Sequence, residues 1–398
     1  VVDHHVIDTR DAYLTATASI VCGTGPIGVD AERASGFTYS QRAYLIQIYR
    51  RGAGTFLFDP PAIGDFRDLS NALIDEEWIL HAASQDLACL REVGLAPARI
   101  FDTELAARLL GMPRVGLGTV VEELLGVHLA KEHSAANWST RPLPEAWLVY
   151  GALDVELLPD LRDRMMAMLT ADRKNVIAEQ EFRAVLSREA KPALAEPWRR
   201  LSGVHSLRGK RNLAVARELW LARDRLARNI DVSPGRLVPD ASLLAAARIL
   251  PTTRQALAEL REFSGRASRS ELDRWWAAIQ VGLTSTDLPS LRATGDALPP
   301  PRAWADRNPE ADLRFKAARA VLAEISEESL IPLENLVTPE YVRRMAWTPP
   351  ESIDPASVGE ALAVLGARAW QIELTSQRIA DAFVDIHQTT EAASEADS

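Results

Sequence analysis

Ile27-Gly28-Val29-Asp30-Ala31-Glu32 is an apolar run that ends in two carboxylates one residue apart. On a β-strand, residues two apart point to the same side, so Asp30 and Glu32 face one pocket at the end of a strand. Taken alone, the pair fits an ordinary solvent-exposed strand end equally well. Downstream, Arg42-Ala-Tyr-Leu-Ile-Gln-Ile-Tyr49 carries strand-forming residues with partial alternation. Residues 52–54 are a glycine turn, and Thr55-Phe-Leu-Phe-Asp-Pro60 is a third strand closed by proline. Three strands in succession make a meander, which argues against a nucleotide-binding βαβ unit. Upstream, Gly23-Thr-Gly-Pro-Ile-Gly28 matches G-x-G-x-x-G by letter. Pro26 interrupts it and the glycines lead into a strand instead of opening a helix, so the match is a turn.

Two more acidic blocks follow. Trp78 to His81 reads as a short strand, and the helix after it is capped by Ser84 with Asp86 in its first turn, projecting back towards the sheet. His81 reads as a structural, hydrogen-bonding residue. Pro144 to Leu158 reads as one helix with proline tolerated in its first turn. On it, Tyr150 and Asp154 stand four residues apart and share a face. Four carboxylates in three short blocks suit phosphodiester hydrolysis by two metals. Asp30, Glu32, Asp86 and Asp154 would hold two divalent cations about 3.5–4 Å apart, one activating a water and one stabilising the leaving oxygen. A phenol with a pKa near about 10 is a poor base at neutral pH, so Tyr150 is cast as the positioner of a metal-activated hydroxide. The polar loop 131–142 carries Lys131, His133, Trp138 and Arg141. Either it meets bound RNA with cations and a stacking ring, or it is a surface loop pinned by Trp138.

Together these motifs resemble ribonuclease D, in the tyrosine branch of the DEDD exonuclease superfamily. The resemblance rests on Asp30-x-Glu32, His81-Ala82-x-x-x-Asp86 and Tyr150-x-x-x-Asp154, with Phe101-Asp102-Thr103, 106–111 and Trp138-x-x-Arg141-Pro142-Leu143 between them. The histidine branch would carry histidine five residues before the last aspartate, and position 149 is Val. The resemblance implies a ribonuclease-H-like α/β fold and two Mg²⁺ or Mn²⁺ ions. It also implies release of nucleoside 5'-monophosphates from a free 3' end. In that family Asp30, Glu32 and Asp154 would coordinate the metal carrying the nucleophilic water, and Asp30 would bridge to a second metal near Asp86. The first motif reaches the next strand through a longer segment, in which Phe37 or Tyr39 either stacks on the terminal base or packs in the core.

The remainder of the chain is helical. Residues 171–207 read as a connector, and 208–287 resemble the HRDC module shared by ribonuclease D and RecQ helicases, through Arg217-Glu-Leu-Trp220-x-x-Arg223-Asp224 and Pro239-Asp240-x-x-Leu243. Trp198 to Arg228 holds nine Lys or Arg against two acids, a stripe that either contacts phosphates through residues such as Arg208, Lys210 and Arg211 or is a solvated surface. Residues 288–309, with Pro299-Pro-Pro301, read as a linker, 310–387 as a second, diverged HRDC-like unit of structural role, and 388–398 as a disordered tail. The expected architecture is therefore α/β followed by all-α. An exonuclease domain over 1–170 precedes two small helical domains.

Length and composition agree with this. A chain of 398 residues suggests two to four domains, and its 47% hydrophobic and 25% charged residues are those of a globular protein. No run of 18 apolar residues exists, so no membrane span is expected, and Val1 to Leu14 lacks the pattern of a signal peptide. Two cysteines make neither a disulfide framework nor a metal cluster and fit a cytoplasmic location. The net charge of -10 argues weakly against nucleic acid, but catalytic carboxylates inflate it and binding follows local charge. The expected activity is a 3'–5' exoribonuclease acting as a monomer on RNA with a single-stranded 3' end, such as a tRNA precursor. The alternatives are a repair-type DNA exonuclease with the same metal ligands, and a non-catalytic nucleic-acid-binding relative.

Overall fold

The computed structural model describes residues 5–129, 133, 135–189, 192, 194–291 and 298–396, with side chains as far as 388. Six strands form one sheet: β1 (Val6–Ile7), β2 (Thr24–Arg33), β3 (Ala43–Arg51), β4 (Gly54–Phe58), β5 (Glu77–Leu80) and β6 (Arg99–Asp102), in the order β1-β4-β3-β2-β5-β6. The expected meander is there. β2, β3 and β4 pair antiparallel, with Asp30 opposite Gln47 and Glu32 opposite Leu45. β5 runs parallel to β2, β6 parallel to β5, and β1 parallel to β4. Ahead of the meander, helix α1 (Arg10–Val21) starts at Thr9, whose hydroxyl accepts from the Ala12 amide at 3.4 Å.

Next to the acidic residues, local structure adds one strand on which the sequence reading is silent and departs from that reading at two points. Residues 99–102 form β6 before α3 (Thr103–Leu109) begins, because Ile100 and Phe101 fill the core as strand residues and Asp102 then caps the helix. The segment after β5 is a single 3-10 turn, Ala83–Gln85, before the short α2 (Leu87–Glu92), so Asp86 stands at the start of α2 and Ser84 caps nothing. The helix expected over 144–158 is two: α4 (Glu145–Glu156) and α5 (Leu158–Ala171), separated where Pro159 enters the first turn of the second.

α4 lies against the meander because two glycines admit it. A Cβ on Gly28 of β2 would stand 2.7 Å from the Val155 carbonyl oxygen, and one on Gly151 of α4 would stand 2.8 Å from the Gln47 amide nitrogen. At Gly28 the strand and the helix backbone meet directly, and at Gly151 the helix backbone rests on the Gln47 and Leu45 side chains.

The helical remainder falls into two packings. The unit containing α7 (Lys210–Ile230) and α8 (Leu272–Thr284) has its own core, around Leu219, Phe263, Trp275 and Ile279. The C-terminal helices, among them α9 (Pro309–Ser329) and α10 (Ala369–Ala396), instead share one continuous core with the sheet domain. Their attachment centres on α6 (Asn175–Ser187), where buried Glu181 accepts two hydrogen bonds from Arg368, at 2.6 and 2.7 Å, and one from the Trp370 indole at 2.8 Å. α10 continues through Ala396, into the stretch 388–398 whose Thr/Ala/Glu/Ser content reads as a disordered tail. Its alanines and glutamates are also strong helix formers.

Candidate active site

One cleft of about 360 Å³ at the end of β2 is lined by Asp30, Glu32, Asp86, Tyr150 and Asp154, so the three sequence blocks converge. Asp30 and Glu32 share a face of β2, as strand alternation requires, and this is the face on which α4 lies. α4 brings Asp154 opposite them. One ligand oxygen from each of Asp30, Glu32 and Asp154 lies within 4.8 Å of the others, close enough for a single cation to be shared. Asp86 lines the same cleft, where the Asp30 charge acts on it.

Asp86 is placed by a residue whose part in the site the sequence reading missed. Buried Asp102 accepts hydrogen bonds from the amides of Ala82 (3.0 Å), Glu104 (3.0 Å) and Leu105 (3.1 Å) at Oδ1 and from that of Ala83 (2.9 Å) at Oδ2, which joins the turn after β5 to the head of α3. It thereby fixes the turn after β5, in which Ala82 takes the left-handed conformation at φ 60°, and delivers Asp86 to the cleft. The contact joins residues about twenty positions apart, which no local sequence rule reveals. His81 lines the cleft, its Nδ1 2.9 Å from the Thr103 hydroxyl, and burial lowers its pKa to about 4, so the ring is neutral. Its expected hydrogen-bonding role agrees with that.

Arg33 is the other residue missed. Strict alternation would turn it away from the side of Glu32, but the pairing register shifts between Glu32 and Arg33. That irregularity re-aims the side chain into the cleft, 3.6 Å from Asp86.

The electrostatics are those of a cation site. Burial raises all four carboxylates, and neighbouring carboxylate charges add to it at Glu32, Asp86 and Asp154: Asp30 moves upward, Asp86 and Asp154 to about 8, Glu32 to about 10. Arg33 is the cation that offsets them, and it is too little for four. Divalent cations fit this donor set, which is all hard oxygen, because they restore the charged forms that crowding suppresses. Burial, then the charges of Asp154 and Glu32, pushes the Tyr150 phenol above its ordinary value, so it stays protonated. It is a hydrogen-bond donor in this cleft and not a base.

The residues read as RNA contacts fare differently. Trp138 is fully buried, packed on Trp147 at 5.2 Å and near Tyr150 at 6.4 Å between ring centres, so no base reaches it. Arg141 is bound to Asp59 at 2.6 and 3.0 Å and to the carbonyl oxygens of Tyr44, Trp138 and Thr140 at 2.8 Å each, which makes it a loop anchor. The reading of 131–142 as a loop pinned by Trp138 is the one the geometry supports. His133 stands edge-on to Tyr150 at 5.8 Å and lines a second pocket that shares Tyr150 and Asp154 with the cleft. Lys131 lies outside the described residues.

Phe37 and Tyr39 do not line the cleft. Arg236 stacks over Phe37 at 4.1 Å, and the Tyr39 hydroxyl donates to Asp224 of α7 at 2.9 Å. The segment after Glu32 therefore docks on the first helical unit, reinforced by Ser40 and Arg42 on Asp231. Most of the basic stripe is also engaged internally. Arg211 donates to the carbonyls of Gly282 (3.1 Å) and Ser285 (2.6 Å), Arg217 pairs with Glu218 and Asp287, and Arg223 pairs with Asp240. Arg208 and Lys210 remain exposed at the start of α7, with no ion-pair partner among the described residues.

Residues 5–170 match a family model described as 3'-5' exonuclease, 212–279 the HRDC domain, and 297–383 the 3' to 5' exonuclease C-terminal domain. Ribonuclease D of Escherichia coli (strain K12) is 30% identical over 348 residues, covering 86% of this chain and 90% of that one. The crystal structure of a protein from Bifidobacterium adolescentis is similar with a TM-score of 0.88 and 36% identity, over 96% of this chain and 97% of that one. That of Escherichia coli RNase D, titled an exoribonuclease involved in structured RNA processing, has a TM-score of 0.70 and 26% identity, over 97% and 99%.

Proposed function

Because the chain belongs to the ribonuclease D family, and is thus a 3'–5' exoribonuclease, we propose that its acidic cleft is the hydrolytic centre and that structured RNA precursors with single-stranded 3' ends, tRNA among them, are its substrates. The observation that carries this reading is the convergence of Asp30, Glu32, Asp86 and Asp154 from three elements around one cleft in which Arg33 is, among the described residues, the one compensating cation. Asp30, Glu32 and Asp154 would hold one divalent ion, and Asp30 with Asp86 a second. When bound, such ions activate water and stabilise the departing oxygen. The all-oxygen donor set accepts Mg²⁺ and Mn²⁺ alike, and we take either to support turnover.

The chain's own groups do the rest. Protonated Tyr150 donates a hydrogen bond towards the Asp154 side of the cleft and orients the attacking water without taking its proton. Arg33 presents a cation to the scissile phosphate. The docked segment 37–42 ties the position of Glu32 to the first helical unit, whose free cations Arg208 and Lys210 face solvent and meet the RNA backbone. We divide the chain accordingly into a catalytic domain over 1–170, a connector over 171–207, and helical units over 208–287 and 310–387 joined by 288–309. It acts as a monomer. Among the described residues no helix is long and apolar enough to cross a membrane. Free Cys22 and Cys89 suit a reducing cytoplasm.

The test uses paired 5'-labelled single-stranded RNA and DNA oligonucleotides with free 3' ends, incubated with Mg²⁺, Mn²⁺ or EDTA beside an Asp154→Asn variant. A one-nucleotide ladder on RNA that EDTA and the substitution both abolish is expected. An equal ladder on DNA would remove the RNA preference, and a ladder that survives Asp154→Asn would remove the assignment of the cleft.

A further inference from the structure

Gln47 is fully buried, and neither its amide nitrogen nor its amide oxygen has a hydrogen-bond partner among the described residues. Its place is specific. It is the cross-strand partner of Asp30, so the two side chains leave the sheet on the same face, with Cβ atoms typically about 4.5–5.5 Å apart. On that face it lies beneath Gly151, the neighbour of Tyr150 in α4, with its amide nitrogen 2.8 Å from where a Cβ would sit. Gln47 is thus enclosed by the three things the cleft must keep in register: the carboxylate shared between the two proposed ion positions, the strand that carries it, and the helix that carries Asp154.

A buried amide in this condition is expensive, on the order of 1–3 kcal/mol for each group left unpaired, and an apolar side chain of the same shape would avoid it. Leu45, the next residue on the same face, shows that the position under α4 accepts an apolar side chain, since it too touches Gly151. An amide that burdens the fold at this place has its counterpart in the reaction. We propose that Gln47 is a positioning residue for Asp30: its N–H donates to the carboxylate when divalent ions draw Asp30 into its shared orientation. This rests on the assignment of the cleft given above. Gln47 makes no hydrogen bond to Asp30 or to any other described residue, so its N–H is available to that carboxylate. Outer partners of this kind set the orientation of a metal-binding carboxylate and are worth roughly ten- to hundredfold in metal affinity or turnover.

Gln47→Met tests this in the full-length protein, since methionine keeps the length of the chain and removes both polar atoms. Three quantities are measured beside wild type: the melting temperature in EDTA, Mn²⁺ binding followed by electron paramagnetic resonance, and kcat and KM on single-stranded RNA. The expected pattern is an equal or higher melting temperature, Mn²⁺ affinity weaker by about tenfold or more, and kcat lower by about tenfold with KM within about twofold. Gln47→Leu guards against a sulfur artefact and should behave alike. Unchanged Mn²⁺ binding and kcat in both variants would overturn the proposal, as would a lowered melting temperature with unchanged Mn²⁺ binding, which marks a packing role only. Asp30→Asn separates the premise from the inference. If it keeps wild-type Mn²⁺ binding, the assignment of the cleft fails and the proposal for Gln47 falls with it. If it loses Mn²⁺ while the Gln47 variants keep theirs, only the proposal for Gln47 fails.

Discussion

Gly28→Ala adds one methyl group to a β-strand, where alanine is at least as acceptable as glycine on conformational grounds. The structure demands the opposite outcome. The new Cβ would lie 2.7 Å from the Val155 carbonyl oxygen, and the nearest alternative is the Leu158 Cβ at 3.4 Å. Neither neighbour is the free end of a flexible side chain. To restore an ordinary contact, α4 must lift from the sheet by about 0.7 Å, the difference between 2.7 and 3.4 Å. Asp154 precedes Val155 and moves with it, away from Asp30 and Glu32. Overpacking of this kind costs about 1–3 kcal/mol in stability. A misplacement of about 1 Å at a reacting centre can remove roughly a hundredfold in rate, so a shift of this size should lower kcat by roughly tenfold or more. The assay pairs thermal melting in EDTA with kcat and KM on a single-stranded RNA oligonucleotide. A variant with wild-type melting temperature and wild-type kcat would refute the claim that backbone contact between β2 and α4 sets the geometry of the cleft.

Three further outcomes follow from the same geometry. Carboxylates raised in the folded state keep protons that the unfolded chain has lost, so the metal-free protein should lose stability as pH rises from the ordinary carboxylate range through about 8 for Asp86 and Asp154 and about 10 for Glu32. Urea midpoints between pH 5 and 9 in EDTA should fall accordingly and flatten with Mg²⁺, and a midpoint that rises with pH would contradict the crowding of charge. Arg141→Ala should destabilise by about 2–3 kcal/mol, tempered by the partial exposure of its side chain, because buried Asp59 loses its partner. RNA affinity of the folded variant, read by filter binding, should stay within about twofold, and a selective loss of affinity would return Arg141 to the RNA surface. Arg208→Glu combined with Lys210→Glu should raise KM for structured RNA and reduce the salt slope of binding by about two, leaving kcat on a short oligonucleotide unchanged.

The carboxylates were legible in the sequence because their chemistry is carried by residue type and short-range periodicity. Two residues apart on a strand and four apart on a helix are geometric facts that need no tertiary knowledge, and the cleft assembles from them. What lay hidden was each place where long-range contact overrides a local rule. Arg33 enters the cleft only because the register shifts at the end of β2. Asp102 acts on residues about twenty positions earlier through two backbone amides. Trp138 and Arg141 belong to residue types favoured for RNA recognition, and nothing in the local sequence distinguishes a ring held in a core from a ring offered to a base. The same holds for the basic stripe of α7, where Arg211, Arg217 and Arg223 bind groups 15 to 74 positions away in the chain.

This difference bears on how substrate choice arises in the molecule. The proposed carboxylate site draws on short-range patterns, whereas among the described residues several cations and rings first read as a grip on RNA, Tyr39, Trp138, Arg141 and Arg211, are committed to internal contacts. Tyr39, Ser40 and Arg42 are the sharpest case, since they follow Glu32 directly and attach to Asp224 and Asp231 on the first helical unit. These contacts are polar and partly exposed, individually worth about 1 kcal/mol or less, so the junction can yield while the core beneath Asp30 does not. On the proposed assignment of Arg208 and Lys210 to RNA, a structured substrate held there would load this junction where a short oligonucleotide would not, and selectivity would then reside in the junction without any change to the four carboxylates.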